Sequence, residues 1–168
     1  MEVPDAEELL ARLIDAIRPS VNQATVIIGV HTGGAWIAER LHAALGLATP
    51  LGFLDISFYR DDFGRVGLNP QVKKSTIPID IEDASIILVD DVLYTGRTVR
   101  AAMNELFDYG RPGRIDLAVL ADRGGRELPI AARYVGATVS LADHQSLNLA
   151  RDDAGALRFN LVEKPVAA

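Results

Sequence analysis

Apolar residues recur with a helical period in some parts of the chain and form unbroken runs in others. Between residues 6 and 17 they return every three or four positions, which predicts an amphipathic helix. Asp5 and Glu8 have the spacing of a capping box at its start, and Pro19 ends it. The same helical period predicts two more helices, with apolar positions at Ile37, Leu41, Ala44 and Leu45 in one and at Val99, Met103, Leu106 and Phe107 in the other.

The unbroken apolar runs predict buried strands. They cover residues 25–30, 51–59, 85–89 and 115–121, and helices separate most of them. Because parallel strands need such crossovers, the pattern predicts an α/β fold with a mostly parallel central sheet flanked by helices.

The C-terminal part has a different pattern. A short strand is predicted near residues 134–139, and Leu157, Phe159 and Leu161 alternate after a turn at 152–155, as in a hairpin. We expect a single domain over residues 1–168, with a core at about 20–140, a flexible lid loop at 60–78 and a small cap, or hood, at about 123–162.

Composition narrows the function classes. The 168 residues are 49% hydrophobic, enough for a substantial core. Cysteine is absent, so disulfides and thiolate metal sites are excluded. No segment reads as a secretory signal or a membrane span, which favours a cytoplasmic protein. The net charge of −6 disfavours broad attraction to nucleic acid.

Residues 86–98 carry the most informative motif. A buried apolar run leads into two aspartates, which we expect where the strand ends, and a small hydroxyl-rich turn then opens a helix. The helix N-terminus favours a phosphate, whereas the carboxylates suit ribose hydroxyls or a hydrated magnesium ion. The predicted site for a 5-phosphorylated ribose consists of Asp90, Asp91, Val92, Leu93, Tyr94, Thr95, Gly96, Arg97 and Thr98.

Two other interpretations of this motif were weighed. It is compatible with an ordinary strand-to-helix junction that has a capping threonine and a solvated acidic pair. Paired carboxylates at a strand end also occur in phosphoacceptor receiver domains, but the isolated Thr and Lys strand ends of that class are absent in the expected order.

A second strand-to-helix turn consists of His31, Thr32, Gly33 and Gly34. Paired glycines expose backbone amides, which suit pyrophosphate oxygens. A glycine-rich turn needed only for chain reversal is the alternative.

The loop 60–78 is long and polar, as lids often are. Arg60, Asp61, Arg65, Lys73 and Lys74 are its candidate functional residues, and the basic ones offer charge to a diphosphate on closure. Solvated charge on a surface loop is the alternative, and Arg60, beside a strand, is the best candidate.

The motif at 86–98 resembles the signature of the type I phosphoribosyltransferases. Three blocks, 55–62, 88–102 and 117–130, resemble more specifically the bifunctional pyrimidine operon attenuation regulators with uracil phosphoribosyltransferase activity. The resemblance covers about residues 25–162. It implies the type I phosphoribosyltransferase fold and the transfer of a phosphoribosyl group from phosphoribosyl diphosphate to N1 of uracil, giving UMP and pyrophosphate.

The resemblance also assigns roles. It implies Asp90, Asp91 and Arg60 as catalytic residues, with Mg²⁺ bound together with phosphoribosyl diphosphate near the acidic pair and no preformed metal site. His31 to Gly34 take the place of the pyrophosphate loop, where many relatives have basic side chains. Purine-specific relatives commonly have a carboxylate before the TG pair, whereas Tyr94 stands here, which argues against a purine.

Uracil recognition is expected from Ala121, Asp122 and Arg123, whose backbone groups suit the alternating edge of the base. The alternative for Asp122 and Arg123 is a surface salt bridge, and likewise for Arg126 and Glu127.

Regulation through a pyrimidine operon leader RNA, with UMP or UTP as effector, is the second activity that the resemblance implies. The first helix is acidic, which disfavours RNA binding there. A local basic surface in a dimer could be formed by Arg40, His42, His144, Arg151 and Arg158. The alternative for each of them is an ordinary solvated polar face. A homodimer or higher homo-oligomer is expected. The alternatives to a transferase are an RNA-binding regulator and a nucleotide sensor without turnover.

Overall fold

Five parallel strands form the centre of the molecule. The structure, a computed structural model, describes residues 1–57 and 75–165. The helices are α1 (Ala6–Ile17), α2 (Gly33–Leu45) and α3 (Arg97–Tyr109), and Arg18–Ser20 forms a 3₁₀ turn. The strands are β1 (Val26–Val30), β2 (Gly52–Leu54), β3 (Ser85–Leu93), β4 (Arg114–Asp122), β5 (Tyr134–Thr138), β6 (Gln145–Arg151) and β7 (Leu157–Glu163).

The central sheet has the order β2-β1-β3-β4-β5, and each of its four neighbouring strand pairs in the described residues is parallel. The chain starts at β1, steps outward to β2, and then crosses to the other side of β1. The strand order therefore reverses between β1 and β3, and such a switch point opens a crevice at the carboxyl ends of the strands.

The two faces of the sheet are covered differently. On one face, α1 and α2 pack against the sheet together with the antiparallel β6–β7 hairpin, whose Leu147, Leu157 and Phe159 are buried there. On the other face, α3 contributes Val99, Ala102 and Leu106 to a second core. Both faces of the sheet are therefore buried, which explains why its strands are continuous apolar runs.

Several element predictions need correction. The strand predicted at 51–59 ends at Leu54, since Ser57 folds back to donate its backbone N–H to Asp55 Oδ1 at 2.9 Å. Residues 58 and 59 lie outside the described part. Phe107, predicted on the buried face of its helix, is 54% exposed.

The expected core and cap boundaries also shift. Helix α1 supplies Leu10 and Leu13 to the core, so the core does not begin at about residue 20. Strand β5 was assigned to the region of the cap, but it is the edge of the central sheet, paired with β4. The hairpin packs on α1. Its first residue, Gln145, accepts a hydrogen bond from Arg123, which directly follows β4. Asp5 caps α1 by accepting the N–H groups of Glu7 and Glu8.

Candidate active site

The acidic pair lies inside a strand. We expected the strand to end at Val89, but β3 continues to Leu93 because its last residues still pair with β4, Leu93 opposite Asp122. Asp90 is buried, with 6% of its surface exposed, and Asp91 is half-buried. The backbone N–H of Asp91 donates to Asp90 Oδ1 at 2.9 Å, and that of Val92 donates to Asp91 Oδ1 at 2.8 Å. These bonds hold both carboxylates at the switch point.

The first turn lies directly against this pair. Gly33 and Gly34, predicted as part of the turn, are already the first residues of α2, and Thr32 is the N-cap. A Cβ on Gly33 would lie 2.5 Å from Asp91 Oδ2, and one on Gly34 would overlap the Val89 carbonyl oxygen. The obstacle at Gly34 is backbone, so only glycine permits this approach, and the start of α2 and the acidic strand form one surface.

The N-terminal side of this turn is fixed by β2. The His31 N–H donates to the Leu54 carbonyl at 2.9 Å, and the imidazole lies 5.4 Å from the Phe53 ring, centroid to centroid. The His31–Thr32 peptide bond is cis.

The second turn connects β3 to α3. Gly96 is the N-cap and has a φ of +94°, a conformation that other residues rarely adopt. Thr95 Oγ1 accepts the Arg97 N–H at 3.2 Å, so this hydroxyl orders the turn itself. Arg97 and Thr98 belong to the first turn of α3, and the N-terminus of a helix favours an anion.

Tyr94 and Arg123 form a stacked pair between two strand ends. The Arg123 guanidinium carbon lies 3.9 Å from the centroid of the Tyr94 ring. Arg123 NH1 also donates to the Gln145 carbonyl at 2.8 Å, whereas its Nε is buried and has no hydrogen-bond partner in the described part of the chain. The stack therefore joins the turn between β3 and α3 to the start of the hairpin.

The backbone groups that we expected to read uracil are partly engaged already. Ala121 is fully buried in β4. The Arg123 N–H donates to the Leu93 carbonyl at 3.0 Å, and the Asp122 carbonyl accepts the Val139 N–H at 2.8 Å. These residues lie at the end of β4 beside the acidic strand, and two of their backbone groups already bond neighbouring chain segments.

Arg126 makes contacts that the sequence did not predict. A surface salt bridge with Glu127 was only the alternative considered for it, as one with Arg123 was for Asp122. In the structure Arg126 bonds Asp122, and Glu127 forms an ion pair with Arg97 at 3.1 Å. Burial disfavours charge on Asp122, but the hydrogen bond from Arg126, the Gly124 N–H and the Arg126 charge together hold the Asp122 pKa below its ordinary value. The i, i+4 spacing of Asp122 and Arg126 was the available signal.

Five candidate lid residues cannot be placed. Arg60, Asp61, Arg65, Lys73 and Lys74 lie outside the described residues. The predicted loop includes residues 75–78, and there Thr76 bonds Phe53 in an isolated antiparallel bridge.

The basic side chains considered for RNA are mostly paired with carboxylates. Arg40 bonds Glu7, Arg151 lies 3.3 Å from Glu39, and His144 lies 3.1 Å from Glu163. The remaining two are His42, whose Nε2 lies 2.7 Å from the Thr49 carbonyl, and the exposed Arg158. This region is therefore less positive than its arginines alone suggest.

Comparison with known proteins assigns the family. Residues 2–148 match the phosphoribosyl transferase domain family. The chain belongs to this family. It is also 49% identical to the Bifunctional protein PyrR of Pseudomonas paraeruginosa over 153 residues, covering 89% of this chain and 90% of the relative. It is 56% identical to the Bifunctional protein PyrR of Nitrosococcus oceani over 137 residues, covering 80% and 76%.

Solved structures agree on the fold. A hypoxanthine phosphoribosyltransferase variant from Trypanosoma cruzi, in a ternary substrates complex, superposes with a TM-score of 0.64 at 25% identity, covering 83% of this chain and 82% of that one. A hypoxanthine-guanine phosphoribosyltransferase from Bacillus anthracis gives 0.63 at 21%, covering 83% and 86%. The predictions of the family, the fold class and a transferase function are confirmed.

Two further findings concern residues 1–57 and 75–165. In these ranges no group of three or more His, Cys, Asp and Glu side chains is placed to hold a metal ion. None of the helices there has both the length and the apolar character needed to cross a membrane.

Proposed function

We propose that the chain is a uracil phosphoribosyltransferase, which forms a bond between N1 of uracil and C1 of phosphoribosyl diphosphate while pyrophosphate leaves and N1 loses its proton. One observation carries the proposal. The acidic pair of β3, the glycine-rich start of α2 and the N-terminus of α3 meet at the carboxyl ends of adjacent strands. This arrangement offers complementary groups to the ribose, the diphosphate and the 5-phosphate of one substrate.

Each end of the substrate meets different chemistry. We assign the 5-phosphate to the N-terminus of α3 and the hydroxyl of Thr98, where Gly96 lets the backbone come close. The diphosphate receives backbone groups around Gly33 and Gly34. Asp90 and Asp91 accept hydrogen bonds from the ribose hydroxyls, which fixes C1 for attack by the base.

Magnesium fits this site as a companion of the substrate. Asp90 and Asp91 supply carboxylate oxygens, which hard cations prefer, and Gly33 leaves the space beside Asp91 Oδ2 clear of a side chain. When bound, the ion neutralises the charge of the leaving diphosphate. Asp90 and Asp91 position the ribose and shield it from water.

The base stands near Tyr94 and the end of β4. Tyr94 is 39% exposed and stacked on Arg123, so a flat ligand meets an aromatic ring and not a carboxylate. A phenol is a far weaker base than a carboxylate, which favours a pyrimidine over a purine. Exposed Gly124 and Gly125 allow the base to come close to Asp122 and Arg123.

We further infer the working context of the enzyme. The chain acts as one domain over residues 1–168, in the cytoplasm, as a homodimer or a higher homo-oligomer, with UMP as product and UMP or UTP as effector. Positive charge near the diphosphate is supplied by the loop residues Arg60, Arg65, Lys73 and Lys74. Asp61 belongs to the same loop. Arg60 contributes to catalysis.

The test follows pyrophosphate release by the purified chain with phosphoribosyl diphosphate and Mg²⁺. The base is uracil, orotate, hypoxanthine or none, and we expect release with uracil alone. Equal or faster release with hypoxanthine would overturn the assignment of the base. No release with any base, together with binding of UMP, would favour a nucleotide sensor.

A second function, regulation of a pyrimidine operon through its leader RNA, is favoured by the similarity to proteins named bifunctional. The basic side chains surround α1, α2 and the hairpin, and carboxylates partner most of them. Binding therefore has to exchange these ion pairs for phosphate contacts.

RNA binding is tested by titrating the cognate leader at several salt concentrations, with and without UMP. We expect UMP to strengthen binding, salt to weaken it, and Arg158→Gln to reduce it. Binding to an unrelated RNA of equal length with the same affinity would contradict a regulatory role.

A further inference from the structure

The segment after β4 wraps around the turn before α3. The N–H groups of Glu127 and Leu128 both donate to the Thr95 carbonyl, at 2.9 and 3.1 Å. The Arg97 side chain adds an ion pair with Glu127. The predicted phosphate turn is thus held from outside by the chain that leaves the predicted base site.

Arg126 is the centre of this contact. Its Nε donates to the Ile130 carbonyl at 2.9 Å, its NH1 to the Tyr94 carbonyl at 2.7 Å and its NH2 to Asp122 Oδ2 at 2.5 Å. One guanidinium therefore bonds three acceptors. They lie at the end of β4, in the turn between β3 and α3, and in the segment that follows Arg126. The planar, rigid group suits such a set, and a lysine ammonium cannot reproduce it.

The burial of this pair makes it more than a surface ion pair. The side chains of Arg126 and Asp122 are 24% and 19% exposed, whereas those of the Arg97–Glu127 ion pair are 45% and 55% exposed. Partly buried, charge-assisted hydrogen bonds are stronger and more directional than exposed pairs. The lowered pKa of Asp122 agrees with a maintained contact.

We propose that Arg126 is a positioning residue that ties the phosphate-binding turn to the base-binding end of β4, so that ordering of one by its ligand favours ordering of the other. The ligand part of this proposal rests on the proposed function. The mechanical part does not, because Arg126 joins Tyr94 to Asp122 through hydrogen bonds within the chain itself.

A purely local role predicts a different result. If the i, i+4 ion pair stabilised only the segment 122–130, mutation of Arg126 would loosen that segment and leave the turn at 94–97 unchanged. A tie between the two predicts that both segments loosen together, and that affinities for phosphoribosyl diphosphate and uracil fall together while kcat changes less.

The experiment measures amide hydrogen exchange in peptides covering 93–98 and 122–130. The variants are Arg126→Met and Arg126→Lys, and the control is Arg114→Met, which removes an exposed arginine from the opposite end of β4. We expect exchange to rise about tenfold in both peptides for both Arg126 variants, and in neither peptide for the control. Arg126→Lys keeps the charge and serves if Arg126→Met does not fold.

Steady-state kinetics and UMP titration complete the test. We expect KM for both substrates and the Kd for UMP to rise roughly tenfold in the Arg126 variants, with kcat within about threefold of the parent. Faster exchange confined to 122–130, or KM raised for one substrate alone, would overturn the proposal. A parent chain without turnover would refute the proposed function, while exchange and UMP binding would still decide the role of Arg126.

Discussion

The two strand-to-helix turns of this site are built in opposite ways. The turn into α2 is held from inside, because Gly33 and Gly34 press against β3 with no room for a side chain. The turn into α3 is held from outside, by the segment that follows β4 and by Arg126. One turn depends on a missing Cβ and the other on added hydrogen bonds, so substitutions should disturb them differently.

This difference affects what each turn tolerates. Close packing against a backbone carbonyl leaves no room for relaxation, so the first turn should fail through loss of stability. A turn held by side-chain hydrogen bonds can loosen while the fold persists. Its defects should therefore be visible first in ligand binding.

The largest effect is expected at the first turn. Gly34→Ala places a Cβ against the Val89 carbonyl, which is backbone and cannot move aside. We expect the free energy of unfolding to fall by about 3 kcal/mol, measured by denaturant titration. The control is Gly124→Ala, which has open space around the new Cβ and meets only a positive φ of +69°, at a cost of about 1 kcal/mol. Equal losses in the two variants would show that packing against Val89 is unimportant.

The acidic pair between the turns should affect turnover without affecting the fold. Asp91→Asn keeps an oxygen that can accept the Val92 N–H, but it removes the charge that faces the ribose. We expect kcat/KM for phosphoribosyl diphosphate to fall about 100-fold, close to 2.7 kcal/mol, with the unfolding midpoint unchanged. Full activity in this variant would rule out the assigned role of Asp91.

At the second turn the expected defect is in affinity. Thr98→Val removes a hydroxyl donor from the first turn of α3 and keeps the shape of the side chain. We expect KM for phosphoribosyl diphosphate to rise about tenfold and kcat to stay within about threefold. Thr98→Ser keeps the hydroxyl and should restore the parent KM; a serine variant as poor as valine would point to packing.

The smallest effect concerns the helix that follows the second turn. Glu105 of α3 is 8% exposed and accepts the Ser75 hydroxyl at 2.5 Å, which joins α3 to the chain beside Asp55. Burial raises the Glu105 pKa above its ordinary value, as do the charges of Asp55 and Asp108, while the bond from Ser75 opposes them.

The sign of the resulting pH dependence follows from this shift. The folded chain binds a proton more tightly at Glu105 than the unfolded chain does, so stability falls as pH rises from the ordinary glutamate range through the raised pKa. Glu105→Gln should flatten this part of the curve of unfolding free energy against pH. An unchanged slope would assign the dependence to other groups; each unit of difference in pKa corresponds to about 1.4 kcal/mol.

The sequence predicted the elements better than their contacts. Continuous apolar runs are unambiguous for a sheet covered on both faces, so the strands around Ile28, Leu88 and Leu120 were found. The end of β3 was missed because pairing with β4, and not local composition, extends it past Asp90.

The site was predicted in the same uneven way. Residue types in the two turns were sufficient to propose a phosphate site. Which residue holds which turn depends on chain segments that are distant in sequence, so the bonds of Arg126 to Tyr94 and Asp122 were not predicted. Sheet bonds of Arg123 and Asp122 likewise could not be inferred from composition.

The contact between Gly33 and Asp91 has a consequence for how this sequence can change. Because the space of a side chain at position 33 is already filled by the Asp91 carboxylate, the two positions are not free to vary independently. A side chain at position 33 has to displace the Asp91 carboxylate, which is the far end of a rotatable side chain. Substitutions at position 33 should therefore be felt first through the orientation of Asp91.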